Sequence, residues 1–289
     1  EEDTVSTVSA ITPDGNVSLG ITQPNLTRRF NGDGQLQVSD RQAVHVRANY
    51  NSNRRDNQEV GEITLAERAR DSQFNFLTSN VRSLTQLSDR TVLDVTVGYN
   101  RNTFRSARIT QRVAVNVKDA FEGGGAGQQN ETVGKTVSLK SVLIRAGDRL
   151  TFKTGFDLSR ISDRSLTEDD FNGTFEFASL EDFVAATPTK FTVVTGEPLL
   201  EMTQVEVAGF VQNDVRVSDR LMLMLGVRYQ AQSNLDDWND FDPRLGYAYA
   251  LSNATVLRGG VGLFHNRLQS NNVKQLLRLD GTRQQELVV

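Results

Sequence analysis

An all-β fold built as an antiparallel up-and-down meander is what this sequence predicts, and three observations predict it. Apolar residues recur with a period of two along most of the 289 residues, and a period of 3.6 is rare. Compact turn signals stand just ahead of the alternating segments: Ser39-Asp40-Arg41, Ser88-Asp89-Arg90, Gly147-Asp148-Arg149, Ser218-Asp219-Arg220 and Ser252-Asn253. Ser, Asp, Asn and Gly suit tight hairpins because they tolerate positive φ or bond to the local backbone. Long polar stretches separate one hairpin from the next, roughly over 51–73, 104–135, 161–203, 232–242 and 266–283.

The elements follow in order. Residues 36–38 lead into the first turn, and Val44, Val46, Ala48 and Tyr50 leave it, alternating with His45, Arg47 and Asn49. Residues 74–87 come next, then Leu93, Val95, Val97 and Tyr99 against Asp94, Thr96 and Gly98. After 137–145, Leu150, Phe152, Thr154, Phe156 and Leu158 alternate with Thr151, Lys153, Gly155 and Asp157. After 205–217, the stretch "LMLMLGVRY" sets Leu221, Leu223, Leu225, Val227 and Tyr229 against Met222, Met224, Gly226 and Arg228. After 245–251, Leu257, Val261 and Leu263 alternate with Arg258, Gly260, Gly262 and Phe264. The reading is one domain over 1–289 with about eleven or twelve strands. A fourth Ser-Asp-Arg, at 162–164, falls in a loop on this reading.

Two arrangements use one-sided strands. In a sandwich the oily faces meet each other. In a transmembrane barrel they meet lipid, and the polar faces line the lumen. Hydrophobic residues make up only 37% of the chain, little material for a dry core of this size. Short turns at one end with long loops at the other favour the barrel, as do the small residues Gly98, Gly155, Gly226, Gly260 and Gly262 on the polar side. No apolar run approaches the ~18 residues of a membrane helix, but a barrel strand needs only about 9–11. Tyr50, Tyr99 and Tyr229, with Phe264 nearby and Phe74 and Phe76 on an incoming strand, are expected to form an aromatic girdle at the loop end. Arg47, Asp94, Lys153, Asp157, Asp214, Arg228 and Arg258 are expected to face the lumen, mainly in ion pairs.

The stretches "GFVQNDVRVSDRLMLMLGVRYQ" and "NDFDPRLGYAYALSNATVLRGGVGLFHNR" resemble TonB-dependent receptors of the Oar-like type. So do "FEGGGAGQQN" (121–130), "FNGTFEFASLEDFVAATPTKFT" (171–192) and "VRANYNSNRRDNQ" (46–58). The resemblance covers most of the chain from about residue 30. It implies part of a large plugged barrel in the outer membrane of a Gram-negative-type bacterium, with its plug and remaining strands outside this chain. The implied partners are outer-membrane lipid, an unidentified ligand and, through the plug, the TonB energy-transducing system. No cofactor is implied. A secreted or surface-exposed β-rich adhesion module that folds in water is the rival reading, and it requires the apolar columns to meet across a dry core.

Chemistry-bearing motifs are few. "GGGAGQQNETVGKT" (123–136) has Gln129 where a phosphate loop needs Gly, and an alternating segment follows it, so a flexible outer loop is expected. His45 and His265, the only histidines, are placed on strands of different hairpins without an acidic partner at metal spacing. Asp236, Asp237, Asp240 and Asp242 crowd one outer loop without EF-hand spacing. The chain has no cysteine, which excludes disulfides and thiolate sites, and no nucleophile elbow. With 24% charged residues and a net charge of −4, nucleic acid is not an expected partner.

Overall fold

A computed structural model describes residues 2–278 and 283–289. In chain order its strands begin with β1 (Glu2–Thr12), β2 (Gly15–Ser39), β3 (Gln42–Gln58), β4 (Arg70–Ser88) and β5 (Thr91–Arg108). Next come β6 (Ala114–Val117), β7 (Phe121–Gly123), β8 (Gln128–Ala146), β9 (Leu150–Asp169), β10 (Thr174–Phe177) and β11 (Lys190–Gly196). The last are β12 (Leu199–Arg216), β13 (Leu221–Gln232), β14 (Phe241–Ser252), β15 (Thr255–Gly262) and β16 (Gln284–Val288). Two short helices, α1 (Leu180–Val184) and α2 (Ser270–Arg278), lie at the loop end. Eleven strands form one antiparallel meander in the order β1-β2-β3-β4-β5-β8-β9-β12-β13-β14-β15.

The recurring Ser-Asp-Arg now has a physical reason. Pairs Ser39–Gln42 and Ser88–Thr91 close two-residue turns. In each turn the Ser Oγ accepts from the backbone N–H two residues on, at Arg41, Arg90 and Arg220. The Arg of one turn then reaches the Asp of the next: Arg41–Asp89 at 3.6 Å and Arg90–Asp148 at 3.1 Å. These pairs are exposed, so each adds at most about 1 kcal/mol.

Strands run well past the apolar pattern. Much of 51–73, 104–135 and 161–203, expected as loop, is strand in β3, β4, β5, β8, β9 and β12. Ser162-Asp163-Arg164 lies inside β9, paired with Lys135 and Thr203. Alternation stops where a strand leaves the apolar layer, but ladder hydrogen bonding does not need it. The sequence reading also missed the β1–β2 hairpin, which turns at Pro13-Asp14 at the loop end.

The loops themselves fold. A second sheet, ordered β16-β11-β10-β6-β7, is assembled from two connections and the segment after β15. Val8 and Ala10 from the β1–β2 hairpin pack with Val117, Ala120, Phe121 and Phe177 into a buried core. The glycine run 123–125 belongs to this body and is not a flexible loop. Gly124 has φ +76°, and a Cβ there would stand 2.0 Å from the Val113 carbonyl oxygen. Its N–H donates to Glu67 Oε1 at 2.5 Å. Lower down, the fully buried Arg108 side chain ties β5 to β9 through Glu168 at 2.7 Å.

Candidate functional site

Cross-strand pairing fixes which side chains share a face. One row reads Val46, Val81, Val97, Leu139, Leu158 and Val207 across six strands. Another joins Leu225 to Leu245 and Val261. All but the half-buried Leu139 are exposed, and among the described residues no second layer covers them. The apolar columns therefore do not meet across a dry core, as the adhesion-module reading requires.

Tyr50, Tyr99 and Tyr229 lie on this apolar face, and their heights give the tilt of the strands. From Tyr99, paired residues lead through Ser79 to Ala48, two residues below Tyr50 after two strand steps. From Tyr229 they lead through Gly209, Phe156, Ser141, Val95 and Ser83 to Val44, six residues below Tyr50 after six steps. A level girdle thus requires a stagger of one residue per strand. With a rise of ~3.3 Å and a strand spacing of ~4.8 Å, that is a tilt of roughly 35°, which falls within the range for membrane barrels. Phe30 stacks on Tyr50 at 6.2 Å, and Phe241 packs on Tyr229 at 4.8 Å, extending the girdle.

Phe74 and Phe76 do not belong to it. Their register partners, Asn53 and Asn51, place them on the opposite face with Arg82. Phe264 lies beyond β15 under the guanidinium of Arg244, 4.8 Å away.

Arg47, Asp94, Lys153, Asp157, Asp214, Arg228 and Arg258 all lie on that opposite face by register. Six of the seven are ion-paired. Arg47 meets Asp33 at 2.9 Å, and Arg82 holds Asp94 with two parallel hydrogen bonds, the shorter 2.6 Å. Lys153 meets Asp214 at 2.7 Å. Arg228 spans strand β12 to reach Asp157 at 3.0 Å. Arg258 makes no ion pair among the described residues. Glycine on this face is not merely spare room: a Cβ on Gly155 would lie 2.6 Å from the Phe210 ring.

Above the girdle this face opens into a cleft of about 570 Å³, a size that suits a small ligand. Its walls are Asn25, Thr27 and Arg29 of β2, Asn51, Asn53 and Arg55 of β3, Ser72 and Phe74 of β4, and Phe104 of β5. Phe74 and Phe104 are paired across β4 and β5. Asn53 Nδ2 donates to Asn25 Oδ1 at 2.7 Å and Thr27 Oγ1 at 2.8 Å, and Asn51 Oδ1 is buried with no hydrogen-bond partner. Amides, two guanidiniums and two aromatic rings could bind a polar, ring-bearing ligand. Sequence reasoning missed this cleft because its residues come from four strands.

A second feature of this face is the segment after β15. It does not stay at the rim but crosses the polar face of β12–β14. The Gln230 side chain donates to the His265 carbonyl at 2.6 Å, Leu268 N–H to Gln232 Oε1 at 2.9 Å, and Arg267 to Glu206 at 2.7 Å. His265 is therefore off any strand, and it has an acidic partner: Nδ1 lies 2.7 Å from Asp242 Oδ1. That hydrogen bond raises the His265 pKa above its ordinary value, so the contact is strongest at acidic pH and weakens as pH rises through the raised value. Asp242 is thus drawn out of the acidic loop. Among the described residues no group of three or more His, Asp or Glu side chains is gathered as metal ligands.

Residues 5–236 and 231–286 match the family model of the outer membrane β-barrel domain. The chain belongs to this family. As an outer membrane β-barrel domain it lies in the outer membrane of a Gram-negative cell. No curated protein sequence matches it. The barrel domain is similar in fold to the outer membrane transporter YddB of Escherichia coli, with TM-score 0.62, 15% identity, and coverage of 86% of this chain and 32% of that one. It is also similar to FpvA of P. aeruginosa bound to heterologous pyoverdines, with TM-score 0.56, 13% identity and coverage of 82% and 35%. The copper transporter OprC gives 0.53, 15%, 88% and 38%. At these identities the likeness is one of fold, and the barrel domain spans about a third of the length of each.

Proposed function

We propose that this domain is a wall of an outer-membrane receptor of the TonB-dependent, Oar-like type, which binds a ligand at its outer end and admits it through the lumen. The observation that carries this reading is the contrast between the two faces: a girdled, uncovered apolar belt on one and an ion-paired polar surface on the other. Crowding indicates which face is inside. Val97 is 49% exposed and Leu225 45%, while the longer Arg228 side chain is 24% exposed and Asp214 17%. A curved sheet crowds side chains on its concave face, which supports placing Lys153, Asp157, Asp214 and Arg228 in the lumen, and Arg47, Asp94 and Arg258 with them by register. The two-residue turns then point to the periplasm, and the cleft opens outward. The transporters it resembles in fold support a role in uptake. Energy would come from the TonB system through a plug, and residues 1–289 would form one partial barrel domain.

Residues 1–289 hold no cysteine, which permits a clean test once any thiol outside them is replaced. Single substitutions Leu139→Cys on the belt and Gln212→Cys on the polar face are introduced into the full-length protein in liposomes. A water-soluble maleimide is expected to label the Gln212 site and spare the Leu139 site. Equal labelling, or a monomer folded in plain buffer, would sink the reading. For the ligand, mass spectrometry of compounds retained on protein purified from cells should show a species that the Phe74→Ala/Phe104→Ala variant loses. Identical spectra would remove the cleft from the proposal.

A further inference from the structure

Three basic residues stand together on the lipid face just above the girdle. Arg101 of β5 is directly opposite Lys135 of β8, and Arg160 of β9 is paired with Val137, one side-chain step along β8 from Lys135. All three are exposed, and among the described residues none makes an ion pair. The acids further up this face, Glu131 and Glu201, are turned to Arg164, at 3.9 and 3.3 Å.

Like charges directly opposite in a sheet repel, so this arrangement costs stability unless an anion lies between them. Height identifies the anion's source. Following the girdle at one residue per strand, the level of Tyr50 falls at Tyr99 on β5 and at Leu158 on β9. Arg101 and Arg160 are each two residues above it, and Lys135 is three above. On strands tilted by roughly 35° that is a height of about 5–8 Å, the depth of a lipid headgroup layer above the hydrocarbon. Below the cluster Val97, Leu139 and Leu158 continue as an apolar track for acyl chains.

We infer that Arg101, Lys135 and Arg160 form a site for the phosphorylated headgroup of an outer-leaflet glycolipid, whose acyl chains lie along that track. The inference rests on the lipid-side reading above. It deepens that reading by adding a specific lipid ligand on the outer wall, separate from the cleft in the lumen.

The test uses the full-length protein in dodecyl maltoside micelles, with bisphosphorylated lipid A, its dephosphorylated form and inorganic phosphate as probes. Lipid A should bind and raise the unfolding temperature, and the dephosphorylated form should not. Removing one cation should weaken binding about fivefold, and Arg101→Gln/Lys135→Gln/Arg160→Gln together about a hundredfold. The triple variant, relieved of repulsion, should be at least as stable as the parent without lipid, so loss of binding cannot be misfolding. Equal affinity of the triple variant, equal binding of dephosphorylated lipid A, or the same stabilisation from inorganic phosphate alone would each overturn the site. A protein folded in plain buffer would instead sink the membrane reading beneath it.

Discussion

Leu225→Lys is expected to destabilise the folded protein in bilayers by about 2–4 kcal/mol, while Met224→Lys, one residue away, costs under about 1 kcal/mol. Leu225 is midway between Tyr229 and Leu221 on β13, at the middle of the belt; Leu245 and, beyond it, Val261 lie on one side, and the uncharged Asn213 on the other. An ammonium there has hydrocarbon on every outward side and no carboxylate within reach. Met224 is on the other face, directly opposite Asp214, so a lysine there gains an acceptor and remains near water. The comparison holds backbone, strand and new side chain constant and changes only the face. Urea-driven unfolding in lipid vesicles would read it. Equal costs, or a larger cost at Met224, would mean that the belt does not face lipid.

The belt could be read from sequence because alternation is local: two residues apart is the same face, whatever the partner strand. Tyr50, Tyr99 and Tyr229 needed only that rule. Phe74 and Phe76 defeated it because β4 carries apolar residues on both faces, with Leu77 and Val81 out of phase with Phe74, Phe76 and Leu84. Only the pairing of Val81 with Val97 settles which set meets lipid. The charges of the polar face were legible as a set, but their partners were not: Arg228 and Asp157 are 71 residues apart, on strands that are not neighbours. The cleft and the second sheet were invisible for the same reason. Thr192 pairs with Val288, and Ala114 with Thr174, contacts that no local periodicity encodes. His265 was misplaced because alternation continues two residues past the end of β15, although the chain has already turned across the polar face toward Asp242.

Phe177→Ala is expected to cost the loop-borne body about 3–5 kcal/mol while leaving the barrel wall folded. Phe177 is 8% exposed. It meets Phe183 edge to face at 5.2 Å, and Phe183 meets Phe121 in the same way at 5.2 Å, so one ring links α1, β10 and β7. Val8 and Ala10 of the first hairpin close the same core, and no lipid or other layer stands ready to fill the space the ring would leave. The body is held to the wall by strand continuations and by ties such as the Ile11 N–H to Ala120 carbonyl hydrogen bond, 3.0 Å, not by the Phe177 ring, so its loss should not propagate down the strands. Two readouts separate the cases: protease cutting within 109–127 and 170–198 should rise steeply in the variant, while heat-resistant migration of the barrel in detergent stays unchanged. Loss of both together would show that the loop-borne core and the membrane wall fold as one cooperative unit. Insensitivity of both would show that the second sheet is held by backbone pairing alone, with the aromatic cluster contributing little.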